Sequence, residues 1–267
     1  NKKILSIGDN LNTDIKAFAE CGHIKFNVED EGAYKIFEKA IQENFNKTPN
    51  LNSMHEIYSQ DKLNDHRLAA FRSINNIADW PQKYFKIAHS MLERLLGVDL
   101  LIQNKLNLSV QMPKDKNSQL ALHTDTLSGQ SEFEVVLWVP FTKATKSNSM
   151  FLFNLETTEE IYKILPDYEE RGMNDIYEKF RNRSIFVELN IGEALIFSPT
   201  LFHGNIENET NVTRVSVNCR FKSLFSPEFE TFPTERRAGP FYRILQMSPV
   251  TSFALKHDDS FVKFSNG

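Results

Sequence analysis

The sequence predicts a mainly β protein with a helical N-terminal part, and three observations carry that reading. The hydrophobic period switches from helical to alternating near Leu100. Short strand-like runs separated by turns then fill the chain as far as Phe221, and Phe, at 22 of 267 residues, supplies much of a core. Many short strands with turns between them suggest a sandwich or a barrel.

In chain order, residues 1–98 read mainly as helix. The stretch 35–45 places Ile36, Phe37, Ala40, Ile41 and Phe45 on one face, and Trp80-Pro81 opens an amphipathic run through Tyr84, Ile87, Ala88, Met91, Leu92 and Leu95 that Gly97 stops. Over 103–111, Lys105, Asn107, Ser109 and Gln111 alternate with Leu106, Leu108 and Val110, as in a strand with one polar and one apolar face. Further strands are expected at 119–124, 133–141, 150–153, 184–189, 194–197 and 212–221, interrupted by a helical insertion over 155–182. The stretch 226–267, with Pro227, Pro233, Gly239, Pro240 and Pro249, reads as irregular chain laid over the core. One domain is expected, with a helical part at 1–98, a β core at 99–225 and an extension at 226–267.

Composition narrows the function. Hydrophobic residues at 40% and charged residues at 25% match a globular chain rather than a disordered one. With 31 Lys+Arg against 35 Asp+Glu the net charge is -4, so there is no basic footprint for nucleic acid or an anionic membrane, and a small polar ligand is the better expectation. Apolar runs such as 135–141 fall far short of the roughly 20 residues a membrane span needs. The basic Lys2-Lys3 start has no apolar core of signal-peptide length behind it. Cys21 and Cys219 imply neither a disulfide framework nor a cysteine zinc site, so a reducing, cytoplasmic setting is expected.

The chemistry-bearing residues are few. His123-Thr124-Asp125 sets an imidazole and a carboxylate two positions apart; in extended chain both point to one side, about 7 Å apart. His203 follows the apolar run 194–197 and the turn at Ser198-Pro199. Two His and one carboxylate on one face of an ion leave positions open, which suits non-haem Fe(II); zinc prefers a closed tetrahedron. Soon after His203, Arg214, Ser216, Asn218 and Arg220 share a strand face, and Arg214 beside Ser216 makes a good clamp for a carboxylate. The plain alternatives are salt bridges for the arginines and a solvated outer face for Asn107 and Gln111.

Four blocks in order carry a resemblance: Asn107-Leu108-Ser109-Val110-Gln111-Met112-Pro113; Leu122-His123-Thr124-Asp125 with the run 133–140; Thr145-Lys146-Ser147-Asn148-Ser149-Met150; and His203-Gly204-Asn205 with the run 213–222. They resemble the Fe(II)- and 2-oxoglutarate-dependent oxygenases, whose signature is His-x-Asp, a distal His and an Arg-x-Ser after it. More narrowly the chain is similar to the phytanoyl-CoA hydroxylase-like group, and within it to the oxygenases of sporadic carbohydrate-biosynthesis clusters and of streptomycin gene clusters. The resemblance implies that His123, Asp125 and His203 bind Fe(II), that Arg214 with Ser216 holds the distal carboxylate of 2-oxoglutarate, and that O2 is consumed. It implies a double-stranded β-helix, a jelly-roll of cupin type. It also implies oxidation, with hydroxylation favoured by Asp at position 125, of a carbohydrate-like small molecule such as a nucleotide sugar or an aminoglycoside precursor. Asn107 and Gln111 are candidates for the other end of the co-substrate or a sugar hydroxyl. Glu134, Trp138, Arg220 and Lys105 are substrate candidates, against the plainer reading of Trp138 as core and Glu134 as the partner of Arg220 or Lys105.

Other readings stay open at this point. Gly8-Asp9-Asn10-Leu11-Asn12-Thr13-Asp14 is similar to the last acidic motif of haloacid-dehalogenase-type phosphatases, but a turn with a helix cap at Asn12 or Thr13 is the plainer account. A non-catalytic jelly-roll carbohydrate-binding module would have no use for the Arg-x-Ser clamp. A cupin-like metal enzyme would turn over without 2-oxoglutarate.

Overall fold

The computed structural model describes residues 11–48, 50–227 and 241–256, so the side chains of the acidic motif at 8–14 and the prolines at 233 and 240 lie outside the described residues. The helical part runs α1 (Leu11–Cys21), β1 (His23–Asn27), α2 (Glu31–Gln42), α3 (Gln60–Asn75), α4 (Trp80–Lys86) and α5 (His89–Leu96). There follow β2 (Leu100–Gln103), β3 (Asn107–Gln111), β4 (Glu134–Pro140), β5 (Phe151–Leu152), α6 (Leu155–Ile164), α7 (Met173–Phe180), β6 (Ile185–Phe186), β7 (Glu193–Phe197), β8 (His203–Gly204), β9 (Arg214–Ser223), β10 (Tyr242–Gln246) and α8 (Pro249–Lys256).

Local chemistry sets these boundaries. The Asp30 side chain caps α2 by accepting from the Ala33 amide, and the buried face is Ala33, Tyr34, Phe37 and Ile41. The run expected as one helix from Trp80 is two, because the Glu29 carboxylate accepts from the Ser90 and Met91 amides and so starts α5 afresh. Gly97, at φ +85, ends it as expected. The strand expected over 103–111 is also two. Asn75 of α3 bonds both the N–H and the carbonyl of Leu106, which takes that residue out of the sheet between β2 and β3.

All pairings are antiparallel. The large sheet has the order β1-β7-β4-β9-β2-β10, with β3 beside β9. The long β9 gives Arg214 to Asn218 to β3 and Phe221 to Ser223 to β2, so those two strands lie end to end along one edge of it, while β4 occupies the other. A small sheet has the order β6-β5-β8. β1 and β10, absent from the sequence reading, occupy the two outer positions of the large sheet. The stretch expected as a strand at 119–124 pairs only through a bridge between His123 and His203, and the one at 184–189 pairs in the small sheet only at Ile185 and Phe186.

Alternation on β9 then builds the layers. Val215, Val217, Cys219 and Phe221 join Leu108, Val110, Val135, Leu137, Val139 and Ile196 in the main core, which packs on the helices through Phe37, Ile41, Tyr84 and Met91. Tyr84 fixes α4 to this face by donating to the carbonyls of Leu137 and Val217. The opposite face of the large sheet meets the small one through Val136, Trp138, Leu195 and Phe197 against Met150, Leu152 and Val187. Outside the small sheet, α6 and α7 pack Ile161, Ile176 and Phe180 on Phe151, Phe153 and Phe202. Arg214, Ser216, Asn218 and Arg220 therefore point between the sheets, where buried polar groups need hydrogen-bond or charge partners. Among the described residues no helix is long and apolar enough to cross a membrane.

Candidate metal centre

His123 and His203 face each other because their own backbones pair: each N–H donates to the other's carbonyl, at 3.0 and 2.9 Å. Both rings are set in the same way. Nδ1 lies 2.8 Å from the Ala121 carbonyl in His123 and 2.8 Å from the Leu201 carbonyl in His203. A carbonyl only accepts, so Nδ1 carries the proton and each Nε2 keeps its lone pair for a metal. Asp125 departs from the extended geometry expected of His-x-Asp: its φ of -64 and ψ of -32 begin a tight turn, with its N–H on the Pro199 carbonyl. The turn brings Oδ1 to 3.7 Å from His123 Nε2 and 3.9 Å from His203 Nε2. Among the described residues these three are the only His, Cys, Asp and Glu group that could hold an ion, their ligand atoms all within 4.8 Å of one another.

The protonation states of the donors suit a metal. Burial would raise the Asp125 carboxyl, but Arg220, charged and hydrogen-bonded to it, holds it below its ordinary value. Burial pushes His203 down to about 4, leaving a neutral imidazole at ordinary pH. Neutral imidazoles and an ionised carboxylate are the forms a divalent metal binds.

A cavity of about 380 Å³ opens beside these groups, lined by all three of them and by Asn107, Ser109, Trp138, Arg214, Asn218 and Arg220 among others. Arg214 is 3% exposed. It bonds the Ser216 hydroxyl at 2.8 Å and, at 3.3 Å each, the Ser109 hydroxyl and Gln111 Oε1. Its Nε has no partner, and no carboxylate among the described residues lies within ion-pair distance. Burial alone pushes this guanidinium down to about 10. A buried cation with only neutral partners is costly, and an incoming carboxylate would relieve the cost.

The other sequence candidates divide. Trp138 and Asn107 line the cavity, Asn107 donating to Asn218 at 2.9 Å. Gln111 supports Arg214 and bonds the Ile206 carbonyl. Arg220 lines the cavity and holds Asp125 Oδ2 at 2.7 Å. Glu134 is 2% exposed and sits behind Arg220, Oε1 lying 3.2 Å from its Nε, so the salt-bridge alternative describes it better than substrate contact. Burial raises its carboxyl to about 7 against the pull of Arg220 and Tyr242. Lys105 is exposed, in the break between β2 and β3 and away from this cavity, because Asn75 has pulled that segment out of the strand alternation. Three participants were missed. Gln103 continues the alternation of 105–111 and could have been found; Asn205, which bonds the Leu120 amide, directly follows His203-Gly204; Tyr242, bonded to Glu134, has no sequence signal.

With this geometry in place, comparison with solved structures is informative. The chain shares its fold with non-heme oxygenase structures. It is similar to the non-heme monooxygenase ThoJ in apo form, at 16% identity and TM-score 0.56 over 88% of this chain and 84% of that one. HygX from Streptomyces hygroscopicus with nickel and 2-oxoglutarate bound matches at 12% identity and TM-score 0.54, covering 88% and 98%. EctD from S. alaskensis with 2-oxoglutarate and 5-hydroxyectoine matches at 14% and 0.54, covering 84% and 81%. No protein-family model matches the chain, and no curated protein sequence matches it.

Proposed function

We propose that the protein is an Fe(II)- and 2-oxoglutarate-dependent oxygenase that oxidises, by preference hydroxylates, a carbohydrate or carbohydrate-containing metabolite. One observation carries this: a buried guanidinium without a counter-charge among the described residues lines the same cavity as two imidazoles and a carboxylate whose donor atoms converge. Arg214 discriminates among the alternatives, since neither a binding module nor a keto-acid-independent cupin needs a carboxylate clamp there. The fold shared with HygX and EctD supports the reading, as those structures hold 2-oxoglutarate.

In this reading His123 and His203 present Nε2 and Asp125 presents Oδ1 to iron, and Arg214 with Ser216 holds the distal carboxylate of the keto acid. Iron with 2-oxoglutarate and O2 supplies the oxidising power for attack on a C–H bond. The chain does the rest. Gln111 and Ser109 keep the guanidinium aimed inward, while Val136, Trp138, Met150 and Phe197 keep water from the reacting centre. For the substrate, the uncharged amides and hydroxyls of Asn107, Asn117, Ser118, Gln119 and Asn218 beside an indole suit hydroxyl-rich rings. The two facing sheets are read as the double-stranded β-helix, within one oxygenase domain spanning 1–267 that belongs with the phytanoyl-CoA hydroxylase-like group and works in the cytoplasm.

The test is anaerobic. Fe(II) and then 2-oxoglutarate are added to wild type, and the visible charge-transfer band is recorded. Asp125→Ala is expected to lose metal uptake, and Arg214→Ala to retain metal with weakened co-substrate binding. Wild type that forms no band overturns the proposal. Succinate release with candidate nucleotide sugars and aminoglycoside precursors tests the substrate class.

A further inference from the structure

Behind the metal-facing side of Asp125 lies a chain of buried groups that no step above uses. The two oxygens of Asp125 have different neighbours. Oδ1 faces the two imidazoles at 3.7 and 3.9 Å, whereas Oδ2 is held by Arg220 Nη2 at 2.7 Å. Arg220 is fixed in turn: Nη1 donates to Gln103 Oε1 at 3.2 Å, and Nε lies 3.2 Å from Glu134 Oε1. Glu134 accepts a hydrogen bond from the Tyr242 hydroxyl, across which Lys222 stands 5.0 Å from the ring. Asp125, Arg220, Glu134, Tyr242 and Lys222 thus form one largely buried cluster.

We propose that Arg220 is a positioning residue that reserves Asp125 as a one-oxygen metal ligand, and that Tyr242 on β10, acting through Glu134, holds Arg220 in that pose. A carboxylate free at both oxygens can bind a metal with either or both. With Oδ2 occupied by a guanidinium, only Oδ1 is offered, which leaves room at the metal for other ligands. The strand nearest the C-terminal end of the described chain thereby becomes part of the support for the metal centre. This inference rests on the metal reading above.

Charge and position predict opposite signs, which makes the proposal testable. By charge alone, a guanidinium beside the site repels a divalent cation, so removing it would tighten binding. As a positioner, its removal loosens binding and alters the ligand field; loss of an outer-shell partner of this kind weakens metal affinity by about 10-fold to 100-fold. The probe is Co(II) alone, titrated anaerobically into wild type, Asp125→Ala, Arg220→Gln, Arg220→Lys and Tyr242→Phe, with the visible d–d bands as readout and metal-free thermal melts as the folding control. Arg220→Gln is expected to bind about 10-fold or more weakly with changed bands, and Arg220→Lys to recover part of the affinity and the band shape. Tyr242→Phe should bind several-fold more weakly. If Arg220→Gln does not fold, Tyr242→Phe decides alone: weakened binding supports the proposal, and unchanged affinity with unchanged bands overturns it. Wild type that takes up no cobalt overturns the metal reading itself. Wild type that binds beside an Arg220→Gln protein of equal or tighter affinity and unchanged bands overturns the positioning role only.

Discussion

Replacing Arg214 with Met tests the carboxylate clamp through stability as well as binding. Burial, with no counter-charge among the described residues, holds the guanidinium down to about 10, more than two units below its ordinary value. At about 1.4 kcal/mol per unit, the ligand-free protein carries about 3 kcal/mol of unrelieved desolvation at this side chain. Methionine has similar reach and no charge, so it removes that burden. It also loses the 2.8 Å bond to Ser216 and the two 3.3 Å bonds to Ser109 and Gln111. Those are worth about 2 kcal/mol together, given about 1 kcal/mol for a good bond and less for long ones. A buried Gln111 acceptor left without its donor offsets the rest, so the ligand-free variant should unfold within about 1 kcal/mol of wild type. Breaking an ordinary buried ion pair would instead cost about 3–5 kcal/mol. The ligand separates the two proteins. With nickel as a redox-inert metal and 2-oxoglutarate at about 100 times its Kd, wild type gains about 2.7 kcal/mol, or about 5–10 °C in Tm for a chain of this size. The variant should gain nothing from the keto acid. Thermal and urea unfolding with and without 2-oxoglutarate give both numbers. A baseline loss of about 3 kcal/mol or more would make Arg214 a structural pillar rather than a waiting clamp, and a ligand shift that survives in the variant would remove it from the co-substrate site.

Three further outcomes follow from other parts of the molecule. In Gly204→Ala, the new methyl would lie 2.8 Å from the Leu120 carbonyl and 3.0 Å from the Phe151 ring, so a loss of about 1–3 kcal/mol in urea unfolding is expected, with weaker metal uptake because β8 carries His203; an unchanged midpoint would refute the close approach. Tyr84→Phe removes the hydroxyl that joins α4 to β4 and β9, and a loss of about 1 kcal/mol with metal uptake intact is expected. His203, held down to about 4 by burial in the folded chain, binds fewer protons there than in the unfolded chain up to about 6.5. Its contribution to metal-free stability is thus complete above about pH 6.5 and lost as pH falls towards 4, and His203→Asn should show a shallower acid slope than wild type over that window.

Periodicity exposed what repeats and missed what one side chain decides. The interior face of β9 was legible because Arg214, Ser216, Asn218 and Arg220 alternate with four apolar residues that enter the core. Its partner β4, and β7 on the far side of β4, were found as apolar runs bounded by turns. The break at Leu106 was not, since it depends on Asn75, distant in sequence, bonding both backbone groups of that residue. The division of the helix at 87–88 likewise depends on Glu29 reaching two amides of α5. β1 and β10 are strands by virtue of their neighbours β7 and β2, and no local pattern reports such a pairing. At the site, residue types pointed to the metal donors, but the roles of Arg220 and Glu134 turned on which of them reaches Asp125, a matter of three-dimensional order.

The reciprocal backbone bonds between His123 and His203 have a bearing on how this scaffold tolerates change. Because the two ring-bearing residues grip one another directly, the helical stretch of α6 and α7 threaded between them can lengthen or shrink with little leverage on their separation. New segments grafted there would accordingly leave the spacing of the two imidazoles as it stands.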